Sequence, residues 1–197
     1  SVVDRPGSGD KRHVRSLSAA SAPSPALVRD DELAALALAG DDSAFAALVR
    51  LHQGALRGFL LRMTRGDHAL ADDLAQEAFL EAWRKIAQFR ASGSFSGWLT
   101  RIAWSRFLMT ARKRKLELLE DADVPLAAEA DSDMRLDLER AMTRLSGAER
   151  AAITLCDTLG HSHEEAAAIL TMPLGTVNSH ILRGHAKLRT LLYGAKP

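Results

Sequence analysis

Cysteine is nearly absent from this chain: Cys156 stands alone among 197 residues. No intrachain disulfide can form, and a reducing cytosol is the expected setting. Tyrosine also occurs once, and aromatic residues make up only 5% of the chain. With few β-branched runs to favour strands, the Ala- and Leu-rich segments are expected to be helical almost everywhere. No apolar run approaches the roughly 20 residues needed to cross a bilayer, so no membrane span is expected, and no signal-peptide core is visible. Excess charge is missing too, since 26 Lys and Arg stand against 25 Asp and Glu. No nucleophile–base pair, paired carboxylates or phosphate loop occurs at usable spacing. The chain is therefore not expected to be an enzyme, and no cofactor is expected.

What is present is segregated charge. Acids are missing between Gly97 and Lys115, where Arg101, Arg106, Arg112, Lys113, Arg114 and Lys115 fall, and again past Gly175. Between Glu117 and Glu139 the sign reverses, with Arg135 alone among the acids. Two basic helical stretches separated by an acidic connector suggest two surfaces that meet polyanions.

The expected fold class is all-α: two helical domains joined by a flexible acidic linker, the C-terminal one containing a helix-turn-helix. Residues 1–28 are rich in Ser, Pro and Gly and read as a disordered leader. The N-terminal domain is expected over 29–115. Asp30 is placed to cap a short helix over 31–39, Ser43 to open a longer one ending near Gly66, and further helices are expected over 69–87 and from Gly97 into "ARKRK". Residues 116–132 read as the linker. In the C-terminal domain, 133–197, Ser146 caps one helix and Ser162 with Glu165 forms a capping box for "HEEAAAIL".

After the turn at Met172-Pro173, the last helix carries Val177, Ile181, Gly184, Leu188 and Leu191 at helical spacing, a core stripe. Gly184 within it lets a neighbouring helix come close. Thr176, Ser179, Arg183 and Lys187 occupy another face, with Asn178, Leu182 and Arg189 beside them. Short polar side chains followed by bases suit a duplex groove, the first for base edges and the second for phosphate. Two short helices joined by a tight turn, the second so decorated, make a helix-turn-helix, although a plain helical hairpin has the same spacing. Cys156, His161 and His163 lack the paired spacing and fourth ligand of a zinc site, so no metal is expected; the thiol reads as buried and the imidazoles as solvated.

In "ALADDLAQEAFLEAWRKIA", Leu70, Leu74, Ala78, Phe79, Ala82, Trp83 and Ile86 are expected to form the buried stripe. Asp73, Gln76, Glu77, Leu80 and Arg84 form the opposite, mixed face, where Leu80 suits a docking spot for a partner protein, although a plain solvated helix face has the same pattern. The loop that follows sets Phe89, Arg90 and Phe95 among Ser and Gly, and aromatics interleaved with bases suit single-stranded nucleic acid. Phe95 and Trp98 read as core; Trp104 lies off the Trp98–Ile102 line.

Taken in series, "DDLAQEAFLEAWRKI", "FRASGSFSGWLTRIAWSR" and "LSGAERAAITLCDTLGHSHEEAAAILTMPLGTVNSHILRGHAKLRTLL" resemble three segments of bacterial RNA polymerase sigma factors of the extracytoplasmic-function group. The resemblance runs from about Asp42 to Leu192 in the family's order. It implies a dissociable initiation subunit whose partners are core RNA polymerase, at its β′ clamp and β flap, promoter DNA, and an anti-sigma factor. By the same resemblance, Asp73, Gln76, Glu77, Leu80 and Arg84 would dock on the β′ clamp. Phe89, Arg90, Ser92, Ser94, Arg101, Trp104 and Ser105 would capture the opened −10 strand. Thr176, Asn178, Ser179, Leu182 and Arg183 would read the −35 groove, with Lys187 on phosphate. The chain departs from the family pattern at Ser105 and Met109, where Asn and Asp are usual, and at Asn178 and His180, where bases are common. The competing expectation is a two-domain helix-turn-helix regulator that binds duplex DNA without polymerase.

Overall fold

Caps decide where most of the helices begin. The structure, a computed structural model, describes residues 25–90, 93–120 and 134–194. Helix α1 spans Pro25–Leu38, α2 Asp42–Met63, α3 His68–Arg84 and α4 Phe95–Glu120, with a 3₁₀ turn at Ile86–Gln88. Helix α5 spans Met134–Thr143, α6 Gly147–Ile153 with a π-helical turn at Thr154–Thr158, α7 His163–Leu170 and α8 Leu174–Tyr193. No strand occurs among the described residues.

The carboxylate of Asp41 accepts the backbone N–H of Ser43 and Ala44, so Asp41, not Ser43, caps α2. Asp67 caps α3 through the N–H of Leu70. Capping boxes open α6, from Ser146 and Glu149, and α7, from Ser162 and Glu165. Each satisfies N–H groups that a helix start leaves without partners.

Two boundaries differ from expectation. Helix α1 begins at Pro25, where a missing N–H costs nothing, so the expected leader boundary at residue 28 falls inside it. Asp30 is consequently no cap: it lies mid-helix and buried, its carboxylate 3.0 Å from Nε2 of His52 on α2. Helix α4 runs through Leu116 to Glu120, beyond the expected start of the linker. The rest of the leader, residues 1–24, and residues 121–133 of the connector lie outside the described residues.

Helices α1–α4 close around Leu48, Phe59, Leu60, Leu74, Phe95 and Leu99, all almost fully buried. A smaller cluster of Met142, Leu145, Ile153 and Leu188 joins α5, α6 and α8. The larger core does not stop at the first four helices. It continues through Leu155, Ile169, Leu170, Val177 and Ile181 of the C-terminal half. Helix α6 packs on α2, and α7 on α4. A β-carbon built on Gly97 of α4 would lie 3.7 Å from Cδ1 of Ile169 on α7.

Arg150 crosses this seam. Its guanidinium donates to the carbonyl of Leu145 at 3.2 Å and to that of Arg62, in the last turn of α2, at 3.0 Å. Burial, with Arg65 nearby, lowers its pKa to about 10. A cation at the C-terminal end of α2 is well placed for the helix dipole.

Candidate nucleic-acid and polymerase-docking surfaces

The C-terminal hairpin is built for close crossing. Thr171 adopts the left-handed conformation, φ 57°, and the N–H of Met172 returns to the carbonyl of Ala167. Pro173 then precedes α8. Ala166 and Ala167 are buried at the crossing. A β-carbon on Gly184 would come within 2.4 Å of Ile153 Cδ1, so no side chain fits there without movement. These constraints hold Val177, Ile181, Gly184 and Leu188 inward, and the opposite side of α8 outward.

Thr176, Asn178, Ser179, Leu182, Arg183 and Lys187 are all exposed, as is Arg189, and Leu182 shows 73% of its surface. They do not form one uniform face. Arg183 and Lys187 lean towards Glu149 at the start of α6. Lys187 Nζ lies 2.9 and 2.8 Å from its two carboxylate oxygens, and Arg183 Nε 3.7 Å from one of them. The carboxylate of Glu149 is 4% exposed. Burial pushes its pKa up, but hydrogen bonds from Lys187 and Ser146 outweigh this and hold it below the ordinary value. The Lys187 ammonium is therefore already paired within the protein. The sequence pattern marks Ser146 as a cap but gives no sign of this pairing at Glu149. Arg189 makes no ion pair among the described residues.

Asn178 is engaged from the first helix of the hairpin, its Oδ1 lying 2.7 Å from Nδ1 of His163. Ser179 donates its hydroxyl to the carbonyl of Gly175 at 2.8 Å, and Arg183 approaches His180 Nδ1 at 3.0 Å.

The second candidate surface surrounds the start of α4. Arg90, Arg101 and Ser105 are exposed. Ser94 Oγ accepts the N–H of Gly97 at 3.0 Å and so helps start the helix. Phe89 packs at 5.5 Å, centroid to centroid, from both Phe95 and Trp98, and Phe95 is fully buried. Ser92 lies outside the described residues. Trp104, although off the Trp98–Ile102 line, is buried: it is 4% exposed and stacks on Phe107. It follows Gly97 by seven residues, two turns of helix, which puts both on the side of α4 that meets α7. Its indole N–H is buried without a partner.

Asp73, Gln76, Glu77, Leu80 and Arg84 are all exposed along α3, with Leu80 at 48%. Beside them lies a groove of about 540 Å³ between α2 and α3, lined by Val49, Gln53, Gln76, Phe79, Leu80 and Trp83 among others. Trp83, contrary to expectation, is not buried in the stripe: it is 37% exposed and rests edge-on against Phe45 at 4.8 Å, on the wall of the groove. Asp72 and Arg57 pair across the groove's rim. Towards α4, Glu81 holds Arg106, and Glu77 of the exposed face lies 3.9 Å from the same guanidinium.

Among the described residues, no group of three His, Cys, Asp or Glu is arranged to hold a metal ion. His161 is not solvated as expected; its side chain is 9% exposed, and burial lowers its pKa. Cys156 is half-buried, and burial raises its pKa.

Residues 48–117 match sigma-70 region 2, and residues 135–188 match sigma-70 region 4. The chain is 36% identical over 166 residues to the ECF RNA polymerase sigma factor SigM of Mycobacterium tuberculosis, covering 83% of this chain and 84% of that protein. The chain belongs to the extracytoplasmic-function group of the sigma-70 family. It is also 37% identical over 167 residues to the ECF sigma factor SigE of Mycolicibacterium smegmatis, where the match takes in 78% of this chain and 64% of that protein's length. As an ECF-type chain it shares its architecture with solved structures. The sigma factor RpoE of Bartonella quintana, crystallised with the anti-sigma factor NepR, superposes with a TM-score of 0.69 at 30% identity, over 77% of this chain and 98% of that one. CnrH, in complex with the cytosolic domain of CnrY, gives 0.64 at 30% identity, over 85% and 99%. The two sigma regions fall on α2–α4 and on α5–α8, the same two halves whose cores merge here.

Proposed function

We propose that this chain is a promoter-specificity subunit: it binds core RNA polymerase, directs it to promoters through −35 and −10 elements, and helps open the DNA. The observation that carries this is the presence in one chain of an exposed recognition helix in region 4 and an exposed mixed face with an apolar groove on α3 of region 2. A duplex-binding regulator needs the first and has no use for the second. No catalytic step is assigned to the chain, and among the described residues no helix is long and apolar enough to cross a membrane.

Within this function, Asp73, Gln76, Glu77, Leu80 and Arg84 dock on the polymerase, with Leu80 and the adjoining groove accepting apolar side chains. Thr176, Asn178, Ser179, Leu182 and Arg183 face the −35 groove. Leu182 offers an apolar contact for a thymine methyl, and Arg183 a paired contact for guanine. Phosphate neutralisation falls more readily to unpaired Arg189 than to Lys187, which must first leave Glu149. Phe89, Arg90, Ser92, Ser94, Arg101 and Ser105 serve the parted −10 strand.

Trp104 belongs to that strand-facing set only if α7 lifts away from α4. An indole N–H buried without an acceptor costs about 1–3 kcal/mol, which separation of the two halves would remove. The relatives crystallised with anti-sigma proteins make a partner that holds the halves together the natural antagonist of such opening.

The −35 assignment is tested by Arg183→Ala in transcription from promoters with a randomised −35 element. Loss of preference at one or two adjacent positions is expected, equivalent to about 1–3 kcal/mol of discrimination. An unchanged sequence profile would remove Arg183 from the reading set.

A further inference from the structure

His163 is the first residue of α7, exposed and absent from every role assigned above. Its Nδ1 lies 2.7 Å from Oδ1 of Asn178 on the recognition helix. An amide oxygen only accepts, so Nδ1 carries the hydrogen and donates it. The two residues are held at this distance by firm local structure. The Ser162–Glu165 capping box sets the start of α7, the left-handed Thr171 sets the turn, and Gly184 seats α8 against Ile153.

The consequence lies at the other end of the amide. With Oδ1 engaged by the imidazole, the –NH₂ of this exposed side chain keeps both hydrogens free for a partner. In the major groove, guanine presents two acceptors, O6 and N7, and a pair of amide hydrogens can serve both. Adenine presents N7 beside the N6–H₂ donor, and its paired contact with Asn requires Oδ1 to accept as well. The adenine contact therefore asks Oδ1 for a second hydrogen bond, while the guanine contact asks nothing more of it.

We infer, building on the −35 assignment of Asn178 above, that His163 is a positioning residue that sets promoter specificity: it pins the Asn178 amide donor-outward and biases the base pair it reads towards G·C over A·T. His163 itself touches no base in this scheme.

The test uses the full chain with core polymerase on a promoter library randomised across the −35 element, with transcripts sequenced. Asn178→Ala identifies the column that Asn178 reads, as the one whose preference disappears. Wild type is expected to favour G·C there, and replacing that guanine by 7-deazaguanine, which lacks the N7 acceptor, should lower transcription. His163→Ala frees the amide to turn, so the same column should shift towards A·T by roughly fivefold or more, the scale of one good base contact. His163→Lys, which restores a donor without an acceptor, should return the wild-type profile, an outcome that mere stabilisation of α7 would not produce. An A·T preference in wild type, or a column unchanged by His163→Ala, overturns the inference while leaving Asn178 as a base reader. If Asn178→Ala erases no column, both the reader and its positioning residue are refuted together.

Discussion

Glu149 shows how one side chain can serve two masters. It completes the capping box of α6, accepting the N–H of Ser146 at 3.0 Å, and it pairs with Lys187 from the recognition helix. Burial pushes its pKa up, yet those partners hold it below the ordinary 4.5. A carboxylate whose folded pKa is depressed contributes stability that is present above the unfolded value and lost as the pH falls through the folded one. Glu149→Gln should therefore flatten the acid limb of stability below about pH 4.5. Urea unfolding at a series of pH values measures this, and parallel curves for wild type and variant would contradict it. The Ser146 cap that Glu149 completes was legible in "LSGAER", because that signal is local. The pairing with Lys187 was not, since it joins residues 38 positions apart. Gly184 was legible for a different reason: a glycine in an apolar stripe has few explanations besides close approach. Trp83 opens to solvent beside Phe45 of α2, while Trp104 buries and stacks on Phe107, and neither outcome shows in the spacing of its own helix.

Among the helices, starts were easier to read than ends. The Ser146 and Ser162 caps act within four residues, so local sequence decides them. The beginning of α1 and the end of α4 are decided elsewhere. Asp30 belongs mid-helix because His52 of α2 awaits it, and α4 continues beyond its basic turn through Leu116 to Glu120. The mixed face of α3 was visible from spacing alone, whereas the groove beside it needed α2 in place. That face carries an element-scale prediction. Glu77→Lys reverses a charge on the exposed side of α3, and its cost should fall on partner binding rather than folding. Like charges brought together at an interface typically cost several kcal/mol, so co-purification with core polymerase should drop at least tenfold while the melting temperature stays within a few degrees. Undiminished association would remove this face from the docking surface.

At the scale of the molecule, sequence suggested two domains on a tether, and family comparison places sigma-70 regions 2 and 4 on those halves. What the sequence did not disclose is the shared core, in which Ile169, Leu170 and Ile181 join the cluster of Phe59 and Leu99. Each apolar stripe looks complete within its own helix, and nothing in its period says that it faces another domain. The closed arrangement packs α4 against α7 while leaving Arg101 and Ser105 exposed, and the proposed role of buried Trp104 in capturing the −10 strand requires the halves to part. Fluorescent labels on α4 and α7 should show high transfer in the free chain and low transfer once core polymerase and promoter are bound. Unchanged transfer in an actively transcribing complex would show that α7 never leaves α4.

The most direct test of the promoter-specificity assignment is run-off transcription on a genomic promoter library with core polymerase, in the presence and absence of this chain. Transcripts from discrete start sites are expected only when the chain is present, and the duplex alone should be bound weakly by the chain without polymerase. A chain that footprints promoter duplex tightly by itself, yet never directs core polymerase to a start site, would contradict the assignment.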